Sequence, residues 1–267
     1  MSSASDVVIV PTVKDNMFKK LLVIGKTGTG KSSLCNRIAG HEANASVFPV
    51  SSAAASCTQS TKFGNVKFGG NKERLISLID TIGFDDPEND TDIKIIAELV
   101  DKLKKNCDYV NLFAIAVNGA APRLDGALVA MIKIFEEMFG PGFWSQCVLI
   151  FTRVPMDKKA KKMRLKNTEK SDDDIAKDYL KVVQGKFPNG GGLNYLFLDA
   201  CFDEDDEEEE KAFQEAMENL YSKVDGATPL PTSKVNENVQ SEHGKLKREL
   251  EAREKDTVEF TKKIQEM

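Results

Sequence analysis

The stretch Phe18-Lys-Lys-Leu-Leu-Val-Ile-Gly25-Lys-Thr-Gly-Thr-Gly-Lys31-Ser-Ser-Leu-Cys-Asn-Arg-Ile-Ala-Gly40 decides the fold. Leu21, Leu22, Val23 and Ile24 form a continuous apolar run, the pattern of a strand buried on both faces of a parallel sheet. Gly25 to Ser32 then fits G-x-x-x-x-G-K-[ST] in full. In such a loop, glycines such as Gly25, Gly28 and Gly30 let successive backbone N–H groups, here from Lys26, Thr27 and Thr29 through Ser33, turn inward around phosphate oxygens. Lys31 reaches the β- and γ-phosphates, and the Ser32 hydroxyl ligates Mg²⁺. Leu34 and Ile38 follow at helical spacing, so the phosphates would rest on a helix N-terminus. Strand, glycine loop and helix in that order supply the context the motif needs.

Composition narrows the rest. At 267 residues the chain can bury one large α/β core with an appendage. A net charge of −5 gives no global field toward nucleic acid or anionic lipid. No nucleic-acid partner is expected, and contact with a membrane would be peripheral and local. Cys35, Cys57, Cys107, Cys147 and Cys201 stand singly, without a C-x-x-C pair, and there are two histidines. Neither a disulfide framework nor a structural zinc site is indicated, which favours a reducing compartment and a cytoplasmic location. No apolar run reaches the ~18 residues of a transmembrane span.

Working outward, residues 1–17 read as an N-terminal arm. The Ser- and Ala-rich stretch 41–60 suits a switch loop ordered by a ligand. Within it Thr58 is the candidate hydroxyl for Mg²⁺ and the γ-phosphate, with Ser60 or Thr61 as alternatives. Residues 61–68 and 73–79 read as strands around Gly69-Gly70-Asn71, a hairpin signal. The second strand ends in Asp80-Thr-Ile-Gly83. This D-x-x-G about 50 residues after a P-loop is the second half of a phosphate-sensing site: Asp80 holds Mg²⁺ through water, and the Gly83 N–H meets the γ-phosphate.

A helix over 92–105, a strand over 109–117, an amphipathic helix over 123–139 stopped by Gly140, and a strand over 146–152 continue the alternation. The basic run from Lys158 to Lys166 reads as a solvated loop, or as a phospholipid or partner patch. The acidic run from Asp203 to Glu210 opens a helix whose N-terminus favours negative charge. Residues 226–235 read as a linker. Residues 236–267 form an amphipathic helix or short coiled coil, from Leu246, Leu250, Phe260 and Ile264 at heptad-like spacing.

The P-loop Gly-Lys-Thr-Gly-Thr-Gly-Lys-Ser-Ser, the loop ending Ser56-Cys57-Thr58, Asp-Thr-Ile-Gly-Phe-Asp-Asp, and the block from Phe113 to Arg153 together resemble the immunity-associated GTPases, the GIMAP or AIG-type family. Septins and chloroplast-envelope import receptors are more distantly similar. The resemblance covers about residues 18–224. It implies a three-layer α/β sandwich, with a mostly parallel six-stranded sheet carrying one antiparallel edge strand. The G domain would span 18–225, with a C-terminal helical extension beyond.

The resemblance also implies GTP and GDP with Mg²⁺, and GTP-dependent homodimerisation. Further protein partners would bind through the switch regions or the C-terminal helix. The usual [NT]-[KR]-x-D base motif is altered: Thr152-Arg153-Val154-Pro155 has proline where the Asp belongs, and Asp157 lies two residues late. Arg153 can stack on the base. Asp199, beside Ala200, falls on a family position near the base, so Asp199 or Asp157 would read guanine. Phe84 stands where Ras-like enzymes carry the water-orienting glutamine, which implies slow turnover. Arg123, where the family carries an arginine, is the candidate finger for a partner subunit.

Overall fold

The computed structural model describes residues 8–14, 17–50, 61–83 and 90–232, the side chains of 90–97 excepted. Thr58 and the helix read over 236–267 lie outside the described residues. Nine strands and six α-helices follow in chain order among them: β1 Val8–Val10, β2 Lys19–Gly25, α1 Lys31–Ile38, β3 Lys62–Lys67, β4 Leu75–Asp80, α2 Asp90–Asn106, β5 Tyr109–Val110, β6 Leu112–Asn118, α3 Gly126–Phe139, β7 Cys147–Thr152, α4 Lys158–Thr168, α5 Asp172–Lys186, β8 Asn194–Phe197, α6 Glu207–Gly226 and β9 Leu230–Pro231.

The main sheet runs β1-β3-β4-β2-β6-β7-β8. Pairings from β4 through β8 are parallel, and β3 lies antiparallel between β4 and β1. The six expected strands are all present. A seventh comes from the stretch read as an arm, because Val8–Val10 extends the β3 edge and Val13 beyond it is fully buried. A second departure lies in the stretch read as a linker, where β9 pairs with β5 in a separate two-stranded ribbon. Elements of two or three residues have no periodicity to detect; their tertiary partners decide them.

Side-chain alternation divides each central strand between two cores. Leu22, Ile24, Phe113, Ile115, Leu149 and Phe151 face α2, α3 and α5, whereas Leu21, Val23, Ala114, Ala116, Val148 and Ile150 face α1 and α6. Both faces are covered, which is why these strands read as unbroken apolar runs. Phe113 centres the first core, with ring centroids 4.7 Å from Phe139 and 5.0 Å from Phe143. Phe113→Ala is expected to destabilise the fold by about 3–5 kcal/mol through the cavity left behind, which chemical denaturation would measure.

The basic run is a helix rather than the expected loop. Asp157 caps α4 by accepting from Ala160 N at 2.8 Å, and Arg164 forms a two-pronged pair with Asp172 at 2.7 and 2.8 Å. None of its residues is buried, so no apolar stripe marked it.

Candidate nucleotide site

All parallel strands end on one edge of the sheet, and the loop after β2 sits there between β4 and β6. Gly28 and Gly30 have φ of 75° and 86°, the left-handed region that a side chain disfavours. Gly30 stands directly before α1, so the helix N-terminus opens onto the loop. Lys31 is buried, its Nζ donating to Lys26 O at 2.9 Å. Ser33 lies in the first turn of the same helix. Gly83 packs against this loop so closely that a Cβ there would lie 2.6 Å from Thr27 N and 2.7 Å from Lys31 Nζ. The D-x-x-G segment and the P-loop therefore enclose one space.

Beside Lys31, Ser32 Oγ donates to Asp80 Oδ2 at 2.8 Å. Asp80 is fully buried, and its Oδ1 has no hydrogen-bond partner among the described residues. Burial pushes its carboxyl above the ordinary range, against the opposing pull of Lys31 and of the Ser32 hydrogen bond. A buried carboxylate with an open oxygen gains by facing a cation. Thr61, one of the alternatives to Thr58, is also buried, with a hydroxyl unpartnered among the described residues, and its neighbour Lys62 sits opposite Asp80 in the β3–β4 register. Among the described residues no group of three or more acidic, histidine or cysteine side chains is placed to hold a metal ion by itself. One carboxylate and one hydroxyl are what Mg²⁺ takes when phosphates and waters complete its shell, so the residues present fit that ion.

Further along the same edge lie the loops after β7 and β8. Thr152 is buried, and its hydroxyl lies 2.7 Å from Thr29 O and 3.1 Å from Val117 O, tying the end of β7 to the P-loop. Arg153 has φ 57°, left-handed without being glycine, and its side chain is exposed. Strain of this kind collects at functional positions. Ala200 O accepts from Arg37 Nε at 2.8 Å, which ties the β8 loop to α1.

The two aspartates named as base readers are each committed in part: Asp157 caps α4, and Asp199 Oδ1 accepts from Cys201 N at 3.0 Å. The Ala160 N–H, the leading influence, holds the Asp157 carboxyl below the usual range. One residue here escaped the sequence reading. Glu209, read only as part of the acidic run that opens a helix, is buried and joins the two loops.

Arg123 stands apart from the phosphate loop in sequence but not in space. It lines a cavity of about 180 Å³ together with Lys26, Thr27, Gly28 and Asp125. Lys26 Nζ pairs with Asp125 at 3.0 Å, and Asp125 caps α3 by accepting from Leu128 N. Arg123 itself is exposed, on the face that carries the P-loop.

A parallel sheet with a P-loop after one strand, D-x-x-G after its neighbour and an antiparallel hairpin edge is the α/β fold of the P-loop GTPases. Within that class, residues 19–185 match the AIG1 family, well over half of the chain, and the protein belongs to that family. Among solved structures it is similar to Toc33 from Arabidopsis thaliana in complex with GDP and Mg²⁺, at 17% identity and a TM-score of 0.55, covering 84% of this chain and 86% of that one. A dimerisation-deficient arginine-to-alanine mutant of the same protein gives 16% and 0.54, over 81% and 84% of the two chains. Among curated proteins none matches.

Proposed function

We propose that the chain binds GTP and GDP with Mg²⁺, hydrolyses GTP slowly, and works as a switch that dimerises in the GTP state. The observation that carries this is the convergence, in an AIG1-family fold, of Lys31, Gly83, Ser32 and the open Asp80 oxygen on one glycine-built loop. Lys31 and the N–H groups of residues 26–33 would hold the phosphates. Ser32 and Asp80, with Thr58 from the switch loop, would hold Mg²⁺, which supplies charge neutralisation at the phosphates. Thr152, Arg153, Ala200 and either Asp157 or Asp199 would form the base end. Dimerisation is important for the GTPase activity of Toc33, a protein of similar fold, which supports a paired active state here.

Phe84 has no group to polarise water, so an isolated subunit should turn over at about 10⁻³ s⁻¹. We place the protein in the cytoplasm, a reading supported by free thiols at Cys35, Cys107, Cys147 and Cys201. No described helix is long and apolar enough to cross a membrane. Multiple-turnover phosphate release and competitive titration of GTP against ATP test the proposal together. A protein that binds GTP without releasing phosphate would be a nucleotide-loaded scaffold.

Guanine preference has its own test. Losing the reading carboxylate leaves the base N1–H and N2–H unpaired, which costs on the order of 1–3 kcal/mol, about ten- to a hundredfold. Either Asp157→Asn or Asp199→Asn is expected to weaken GTP by that factor and to shift preference toward xanthosine triphosphate. Unchanged preference in both variants would remove both residues from base reading.

A further inference from the structure

We propose that Glu209 is a positioning residue for the base end of the site: its carboxylate locks the loop after β7 to the loop after β8 and so sets guanine selectivity. This rests on the guanine-nucleotide reading above. Glu209 is the third residue of α6 and only 6% exposed, while Glu207 and Glu210 beside it are exposed. A carboxylate is seldom buried unless it is fully engaged. Here three backbone N–H groups converge on it. Oε1 accepts from Met156 N at 3.0 Å and from Asp157 N at 3.4 Å, and Oε2 accepts from Asp203 N at 2.6 Å.

Helix capping does not account for this arrangement. Asp206 already caps α6, its Oδ1 accepting from the N–H groups of Glu208 and Glu209. The helix dipole favours negative charge in this turn but gives no reason for one of four glutamates to turn inward onto two other segments. What the carboxylate does is tie the loop after β7 to the loop after β8.

The β7 loop is indexed to the P-loop through Thr152, and the β8 loop is indexed to α1 through Arg37. Glu209 then fixes the far part of each loop against the other, around Asp157 on one side and Asp203, four residues beyond Asp199, on the other. Arg153 in its left-handed conformation also needs surroundings that over-determine it, and the hold on Met156 three residues later provides that. Selectivity for a base demands placement of donors and acceptors to within a fraction of an ångström, whereas phosphate affinity rests on the P-loop, Gly83 and the Mg²⁺ ligands, and Glu209 makes its hydrogen bonds to none of these. The two should separate on mutation.

The test is calorimetric titration of the full chain with GDP, ADP and inorganic tripolyphosphate, for wild type, Glu209→Gln and Glu209→Ala. Glu209→Ala is expected to weaken GDP by about tenfold or more and to narrow the GDP/ADP ratio, with tripolyphosphate within about twofold of wild type. Glu209→Gln keeps one acceptor oxygen and should fall between; it carries the test by the same criteria if the alanine variant does not fold. GDP affinity unchanged in the variants, or falling in parallel with tripolyphosphate, would overturn the assignment. A wild-type protein that binds tripolyphosphate but prefers neither GDP nor ADP would refute the guanine reading itself, and the clamp with it.

Discussion

Lys31→Ala is expected to lose GTP and GDP binding by about a hundredfold or more while keeping the fold. An ammonium among phosphate oxygens makes charge-assisted hydrogen bonds worth ~1.5–3 kcal/mol each, and more than one is lost at once. Against this, Lys31 is a buried cation whose Nζ is held by the Lys26 carbonyl, at the mouth of the site rather than within either apolar core. Truncating it removes attraction for the ligand without opening a cavity among packed side chains. Equilibrium titration with a fluorescent GDP analogue, paired with a thermal melt of the ligand-free protein, reads both halves of the expectation. Binding within about threefold of wild type, under ~0.7 kcal/mol, would show that the loop does not hold phosphates.

The second large effect concerns Arg123. GTP hydrolysis per molecule is expected to rise with protein concentration in the wild type and to stay flat in Arg123→Ala. A guanidinium delivered by a partner to the β,γ-bridge stabilises charge developing there, an effect of roughly 10³-fold in related systems. The side chain is exposed on the P-loop face, and no ion pair among the described residues engages it. Its turn is held from behind, where Tyr179 Oη donates to Arg123 O at 3.3 Å and Lys26 pairs with the Asp125 cap. A rate independent of concentration and equal in both proteins would exclude the role.

How far the sequence could be read depended on whether the cause of a feature was local. The P-loop was legible because Gly28 and Gly30 must adopt positive φ and stand at fixed spacing from Lys31 and Ser32. The central strands were legible because both their faces are buried. The first half of the stretch read as a loosely ordered switch is pinned instead by one residue. Asn36, fully buried in α1, donates to the carbonyls of Ala45 and Phe48 at 2.8 and 2.9 Å and accepts from Phe48 N. Nothing in the sequence marks Asn36 out from other helix residues. Glu209 was hidden for a similar reason. Four successive glutamates look alike until the packing of α6 turns one of them inward, and its partners are backbone N–H groups, which leave no trace in residue type.

The ribbon of β5 and β9 gives the domain two poles. β2 begins at Lys19 and ends at Gly25, so its two ends are about 20 Å apart at strand rise. Nucleotide chemistry belongs to the Gly25 end. At the Lys19 end, Lys20 Nζ reaches Asp108 at 2.5 Å, Thr232 N donates to Asp108 O, and Thr232 Oγ1 donates to Cys107 O. Thr232, the last described residue, therefore lies at the pole opposite the phosphate loop. A group attached beside Thr232 would therefore join the domain about one strand length from the P-loop, at the end of the sheet where β2 begins rather than where it ends.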